Sequence, residues 1–373
     1  MNNILSSTAK IAARLGRKYF SSSQNKSALP ENPQRILWIR LDHIGDGVMS
    51  MTSLAALRAK FPHAQIDALV RAPFAPLLED LQLVDHIILG DSPRFPNKSG
   101  VAGRLKALYS IHKIARKMRG NYDLAIDARG DDVARLVAFW GKMPHRLGPD
   151  CIFYEPLNAA NFSFLMTHLT YLSNTPRHAV INNLANLQPL NVRETPFDWP
   201  ISVGQKSTVQ RLLDQLKIDA PFAVLQTRSN DRQRDWSAEN FAEVADHLIS
   251  QHGLKVLLCG AAMDIPYNDH IINLAKNSIE IHNVAGELRL VELPALLANA
   301  RIMVSVDTGP MHLGAMVNVP IVALMLPDLA LRHYPWKQPD AVVTAPGGQM
   351  KDISVDAVLN KIDAVTKNLP SRG

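Results

Sequence analysis

The stretch Arg35-Ile36-Leu37-Trp38-Ile39-Arg40-Leu41-Asp42-His43-Ile44-Gly45-Asp46-Gly47 decides the fold. Its first seven residues make a short apolar run, the signature of a buried strand. A glycine-containing turn follows, and Val48 to Lys60 reads as a helix. Further strands read at Gln65–Val70, Asp85–Leu89 and Tyr122–Asp127, with a helix over Leu105–Met118. Strands alternating with helices predict parallel βαβ units.

The middle of the chain is less regular. A helix is expected over His178–Leu190, and the polar, proline-bearing stretch Asn191–Gly204 reads as a linker. The alternation then restarts. Strands are expected at Phe222–Gln226, Lys255–Cys259, Glu280–Val284, Ile302–Val306 and Ile321–Leu326. Helices are expected at Ala238–His252, Asn268–Lys276, Val291–Asn299, from Asp307-Thr308-Gly309-Pro310 to Val317, and at Val355–Lys367. The α/β fold class is thus two successive Rossmann-like halves. The expected domains are 1–30, a basic segment with a linker, then 31–200 and 201–373. Ligands of open parallel sheets bind beyond the carboxyl ends of the strands. Two facing sheets would place the site in an interdomain cleft.

The 373 residues leave ample room for two cores, and 47% of them are apolar. Two cysteines, Cys151 and Cys259, exclude a disulfide scaffold and a cysteine-rich zinc module. No apolar run reaches the ~18 residues of a membrane span. Net charge is +6, and five of the 40 basic residues lie in the acid-free first 30. The rest of the chain holds 35 basic against 34 acidic residues, which argues against a nucleic-acid-binding body. On a helical wheel Ile4, Leu5, Ile11, Ala12, Leu15 and Tyr19 oppose Lys10, Arg14, Arg17 and Lys18. That face suits an anionic membrane surface. A solvated terminus and a transit peptide are the alternatives.

Four stretches offer chemistry. Gly45 and Gly47 in the first turn would let backbone approach a ligand, and Asp46 sits where a helix begins. A capping aspartate is the plain alternative there. Asp307-Thr308-Gly309-Pro310-Met311-His312 joins a strand end to a helix start, where free N–H groups and the dipole favour an anion such as a diphosphate. Capping by Asp307 or Thr308 competes with that reading. In Thr227-Arg228-Ser229-Asn230-Asp231-Arg232-Gln233-Arg234-Asp235-Trp236, three arginines could clamp phosphate oxygens or form a solvated loop. Asp264, beyond Cys259-Gly260-Ala261-Ala262-Met263, could hold ribose hydroxyls. No GxxxxGK[ST], HExxH or GxSxG is present, and Asp127, Asp131 and Asp132 make no Asp-x-Asp motif. No metal site and no cofactor are expected.

Together these stretches resemble glycosyltransferase family 9, the ADP-heptose:lipopolysaccharide heptosyltransferases. The resemblance rests on ILWIRLDHIGDG, on YDLAIDARGDD with HRLGPD, on HAVINNL, and most on VSVDTGPMHLGAMVNVPIVALMLP. It runs in order from residue 35 to about 336. It implies a GT-B fold and an inverting, metal-independent transfer of heptose from ADP-heptose to a glycolipid acceptor of the lipopolysaccharide core or a related surface glycan. Asp46 would be the general base, flanked by Arg40, Asp42, Gly45 and Gly47 on the acceptor side. Thr227, Arg234, Asp264, Asp307, Thr308, Gly309 and His312 would hold the donor. The expected place is cytoplasmic, peripheral on the inner face of the membrane. Gln226-Thr227-Arg228-Ser229 departs from the family's frequent His-Pro-Gly pattern, and Ser53 replaces a usual proline. An epimerase-type nucleotide-sugar enzyme and a non-catalytic membrane-surface relative are the rival readings.

Overall fold

The computed structural model describes residues 28–90, 101–150, 162–172 and 177–367. The basic amphipathic segment and Cys151 lie outside them. By contact the chain falls into two units, one within Met1–Thr175 and Ala179–Phe197, the other within Pro176–His178 and Asp198–Gly373.

The first unit holds β1 (Arg35–Arg40), β2 (Gln65–Val70), β3 (His86–Leu89), β4 (Leu124–Asp127), β5 (His145–Pro149) and β6 (His168–Thr170). All pair in parallel, in the order β3-β2-β1-β4-β5-β6. Ile36 of β1 stands beside Ile66 on one side and Leu124 on the other. Helices cover the sheet: α1 (Ile44–Met49), α2 (Met51–Lys60), α3 (Ala75–Leu81), α4 (Val101–Lys117), α5 (Asp132–Trp140) and α6 (Ala179–Ala185). Leu37, Ile39, Ala125, Ile111 and Val137 join one buried cluster, so β1 and β4 meet α4 and α5 there. Burial on both faces is why β1 reads as an unbroken apolar run.

The second unit begins with α7 (Val203–Gln215) and repeats the plan. Its strands are β7 (Phe222–Gln226), β8 (Lys255–Cys259), β9 (Ile281–Asn283), β10 (Ile302–Val306), β11 (Ile321–Met325) and β12 (Val342–Thr344), ordered β12-β11-β10-β7-β8-β9. Its further helices are α8 (Ala238–His252), α9 (Ile265–Leu274), α10 (Leu293–Asn299), α11 (Gly309–Met316), α12 (Pro327–His333) and α13 (Val355–Lys367). Leu225, Val256, Val304 and Val322 from four strands pack with Phe241, Leu248, Val358 and Ile362 from α8 and α13.

Several elements differ from the sequence reading. The helix expected from Val48 starts at Ile44 and is broken at Ser50, whose hydroxyl donates to the Gly47 carbonyl at 2.6 Å. A hydroxyl bonding back into the preceding turn competes with the helical ladder. The helix expected over His178–Leu190 stops at Ala185, and Pro189 falls within a separate 3₁₀ turn over Gln188–Leu190. The helix expected at Asn268 begins at Ile265. Residues 203–204, read as linker, already belong to α7, which Ser202 and Gln205 cap reciprocally.

Gly47 is buried in α1, and a Cβ there would lie 2.7–2.9 Å from three atoms of the Phe74 ring. Its smallness serves packing rather than ligand approach. Gly47→Val should therefore cost ~1–3 kcal/mol by overpacking, read from denaturant melts. Phe74→Leu in the same chain should restore part of that loss.

Candidate functional site

In each sheet the strand order reverses once, between β1 and β4 and between β7 and β10. At such a switch point adjoining connections leave to opposite faces and open a crevice at the carboxyl edge. Asp42–Gly47 follows β1, Thr227–Trp236 follows β7, and Asp307–His312 follows β10. Asp264 lies one strand away, after β8.

At the first switch point Arg40 is buried, not offered to a ligand. Its Nη1 donates to the Ala128 carbonyl at 2.6 Å and to Asn183 Oδ1 at 2.8 Å. Its Nε stands 2.9 Å from Asp42 Oδ2, and Arg129 Nε is 3.6 Å from the same oxygen. Burial pushes the Asp42 carboxyl above the usual carboxylate range against the pull of Arg40, and the Asp46 charge adds to the rise. Asp42 and Arg40 thus form a buried frame for the loop.

Asp46 is the half-buried carboxylate beside that frame. It does not cap the helix: His43 is the N-cap, and Asp46 sits in the first turn of α1 after Gly45. A negative charge is favoured there by the helix dipole.

Arg129 was not singled out from sequence, and Asp131 was weighed there only for an Asp-x-Asp motif. Both follow β4, which only the strand order puts next to β1. Asp127 shapes their loop. Its Oδ1 accepts from the N–H groups of Arg129, Gly130 and Asp131, and Arg135 Nε donates to its Oδ2 at 3.1 Å. Gly130 takes φ +91° to close this turn. Asp131 caps α5 through the Val133 N–H at 2.7 Å. Burial, with the nearby Asp127 charge, holds its carboxyl above the ordinary range.

At the second switch point the central pair is Arg234 and Asp307. Arg234 Nη1 donates to Asp307 Oδ2 at 2.9 Å, and Asp307 is 2% exposed. Thr308 is the N-cap of α11, but its hydroxyl makes no capping hydrogen bond. Gly309 and Pro310 open the helix. The first turn of any helix leaves N–H groups without intrahelical acceptors, and Pro310 removes only one of them. A cationic fork therefore stands fixed beside the mouth of a helix N-terminus. His312 Nε2 lies 3.7 Å from Asp307 Oδ1. Burial, with the charges of His333, His178 and Arg234, holds His312 far below its ordinary range, so its imidazole is neutral at pH 7.

The other expected donor residues are engaged elsewhere. The Thr227 hydroxyl is wholly buried and donates to Asn268 Oδ1 at 2.7 Å. Arg228 lies over the Tyr267 ring at 4.3 Å and pairs with Asp235 at 2.9 Å. Arg232 also pairs with Asp235, at 3.1 Å. Of the three arginines, Arg234 is the one whose guanidinium pairs with Asp307. Asp264 Oδ2 accepts from the Ala261 N–H at 2.9 Å and shapes its own loop. Among the described residues no helix is long and apolar enough to cross a membrane.

Comparison with known proteins bears on the family and the fold. The model of glycosyltransferase family 9 (heptosyltransferase) matches residues 111–362. Lipopolysaccharide heptosyltransferase 3 of Escherichia coli (strain K12) is 27% identical over 299 residues, 79% of this chain and 83% of the relative. A family 9 glycosyltransferase structure from Veillonella parvula superposes with a TM-score of 0.76 at 20% identity, covering 92% of this chain and all of that one. An E. coli heptosyltransferase solved with ADP-2-deoxy-2-fluoro heptose gives 0.66 at 20% identity, covering 88% of this chain and 99% of that one. The two parallel α/β units are those of the GT-B class. The chain belongs to glycosyltransferase family 9, the heptosyltransferase family.

Proposed function

We propose that this glycosyltransferase moves heptose from ADP-heptose to a hydroxyl of a lipopolysaccharide-core acceptor, in one inverting step that needs no metal. The observation that carries the reading is the Arg234–Asp307 pair beside the α11 N-terminus. It presents positive charge and backbone donors at one place, where a departing diphosphate gains charge. The donor assignment is further supported by the E. coli heptosyltransferase solved with an ADP-heptose analogue.

In this scheme the acceptor oxygen attacks the anomeric carbon as Asp46 takes its proton. The bond from that carbon to the diphosphate oxygen breaks, and its electron pair leaves with ADP. Arg234, Thr308 and the N–H groups after it stabilise the new charge. Asp307 positions Arg234. Arg40, Asp42 and Arg129 hold the loop that carries Asp46. A single displacement inverts the sugar carbon. The basic segment before residue 30 would hold the enzyme on the anionic inner face of the cytoplasmic membrane, where a glycolipid acceptor resides.

Three outcomes test this reading. ADP release from ADP-heptose should require a truncated lipopolysaccharide acceptor and persist in excess chelator, with the product linkage inverted by NMR. Donor turnover without acceptor would point to an epimerase-type reaction instead, and a rate restored only by added Mg²⁺ would remove metal independence. Arg234→Ala should weaken ADP binding by roughly 1.5–3 kcal/mol, the range of a charge-assisted hydrogen bond. Asp307→Asn should weaken it less, and the double variant should fall short of the sum in calorimetry. Removal of residues 1–28 should abolish flotation with anionic vesicles at an unchanged melting temperature, each basic residue contributing ~1 kcal/mol near the surface.

A further inference from the structure

Two histidines of α8 and one aspartate of α13 aim their polar atoms at one point. His247 Nε2 stands 2.7 Å from Asp363 Oδ1, and His252 Nε2 stands 2.8 Å from the same oxygen. The two imidazoles meet edge to face, with centroids 5.3 Å apart at 66°. One ligand atom from each of the three lies within 4.8 Å of the others. Among the described residues no other group of three or more His, Cys, Asp or Glu converges in this way.

We propose that His247, His252 and Asp363 bind a borderline divalent transition metal, such as Zn²⁺, which clips the last helix to the second unit. The site is separate from the transfer chemistry proposed above and uses none of its residues.

Geometry supports the assignment. Zn²⁺ takes imidazole nitrogen and carboxylate oxygen at ~2.0–2.2 Å, so tetrahedral ligand atoms stand about 3.3 Å apart. The two N···O separations need to open by about half an ångström to admit the ion. Rotation of the half-exposed Asp363 carboxyl supplies such a shift without moving either helix. The histidine side chains are only 17% and 19% exposed, so their rings are already held. The exposed side, next to Asp363, leaves room for water as a fourth ligand.

Location supports it too. His252 is the last residue of α8, and Gly253 closes the helix in the left-handed conformation at φ +63°. A cation there meets the negative end of the helix dipole. The donor set selects the metal class. Two imidazoles and one carboxylate suit Zn²⁺, Co²⁺, Ni²⁺ or Cu²⁺, whereas Mg²⁺ and Ca²⁺ require oxygen ligands. The ligands come from two helices whose apolar faces share one core, through Leu248, Val358 and Ile362. Metal binding would therefore add directly to the stability of the docked α13.

The test uses the full chain, stripped with chelator and dialysed. Titration with ZnCl₂ against a chromophoric indicator should show a stoichiometric site. Zn²⁺ should raise the melting temperature and Mg²⁺ should not. Co²⁺ should give visible bands of a nitrogen-ligated ion. His247→Gln and His252→Gln should each weaken Zn²⁺ binding by roughly tenfold or more, since loss of even an outer partner of a ligand costs that much. The double variant should lose both the site and the thermal shift. In the wild-type chain, Zn²⁺ should protect His247 and His252 from diethyl pyrocarbonate, read by peptide mapping. Equal labelling with and without Zn²⁺, or equal Zn²⁺ affinity in wild type and double variant, overturns the proposal. Acceptor-dependent transfer is read separately, so failure there leaves this result intact.

Discussion

Everything at the candidate site depends on the parallel order of the strands. A parallel sheet sends every carboxyl end to the same edge, and an order that reverses once leaves a crevice at that edge. Both six-stranded sheets carry this reversal, at β1/β4 and at β7/β10. That constraint puts the loop with Asp46 and the turn with Asp307 at the carboxyl edges of their sheets. The polar contacts then hold the loops still.

Those contacts are ion pairs with at least one buried partner, and their contribution is positional more than energetic. Removing charges from water costs about as much as pairing them returns, whereas deleting one partner leaves an uncompensated charge. Arg40 with Asp42, Arg135 with Asp127, and Arg234 with Asp307 each have at least one side chain almost wholly buried. The first two tie the loops after β1 and β4 to the body of the unit. The third fixes a guanidinium at the mouth of α11, so its orientation is set before a ligand arrives. Preorganised charge of this kind stabilises a leaving group without reorganisation during reaction.

The main strands and the turn over Asp307–His312 were legible because each rests on a local signal. Apolar runs such as Ile302–Val306 announce buried strands, and Gly-Pro after Asp-Thr announces a helix start. The strands β5 (HRLGP), β6 (HLT) and β12 (VVT) show no apolar run of strand length. Ser202 and Gln205 did carry a capping signal, but it straddled the end of the stretch read as linker. Gly47 could not be read correctly, because its neighbour Phe74 is 27 positions away in sequence and the steric demand is tertiary. The same holds for Thr227, whose hydroxyl meets Asn268, and for Arg129, whose nearness to Asp42 follows from strand order alone. Sequence offered the chemistry of each loop and, through the family resemblance, Arg234 among its arginines; that Arg234 pairs with Asp307 required the fold.

The central claim is that Asp46 carries the proton of the acceptor hydroxyl. His43, not Asp46, occupies the N-cap of α1, so replacing Asp46 removes no capping bond. Asp46→Asn preserves size and hydrogen-bonding capacity but cannot take up a proton at neutral pH. The most direct measurement is turnover of ADP-heptose with acceptor, taken together with ADP affinity and melting temperature on the same Asp46→Asn preparation. The account predicts affinity and melting temperature close to wild type and turnover lowered by ~10²–10⁴. Wild-type turnover in a folded Asp46→Asn protein would contradict it.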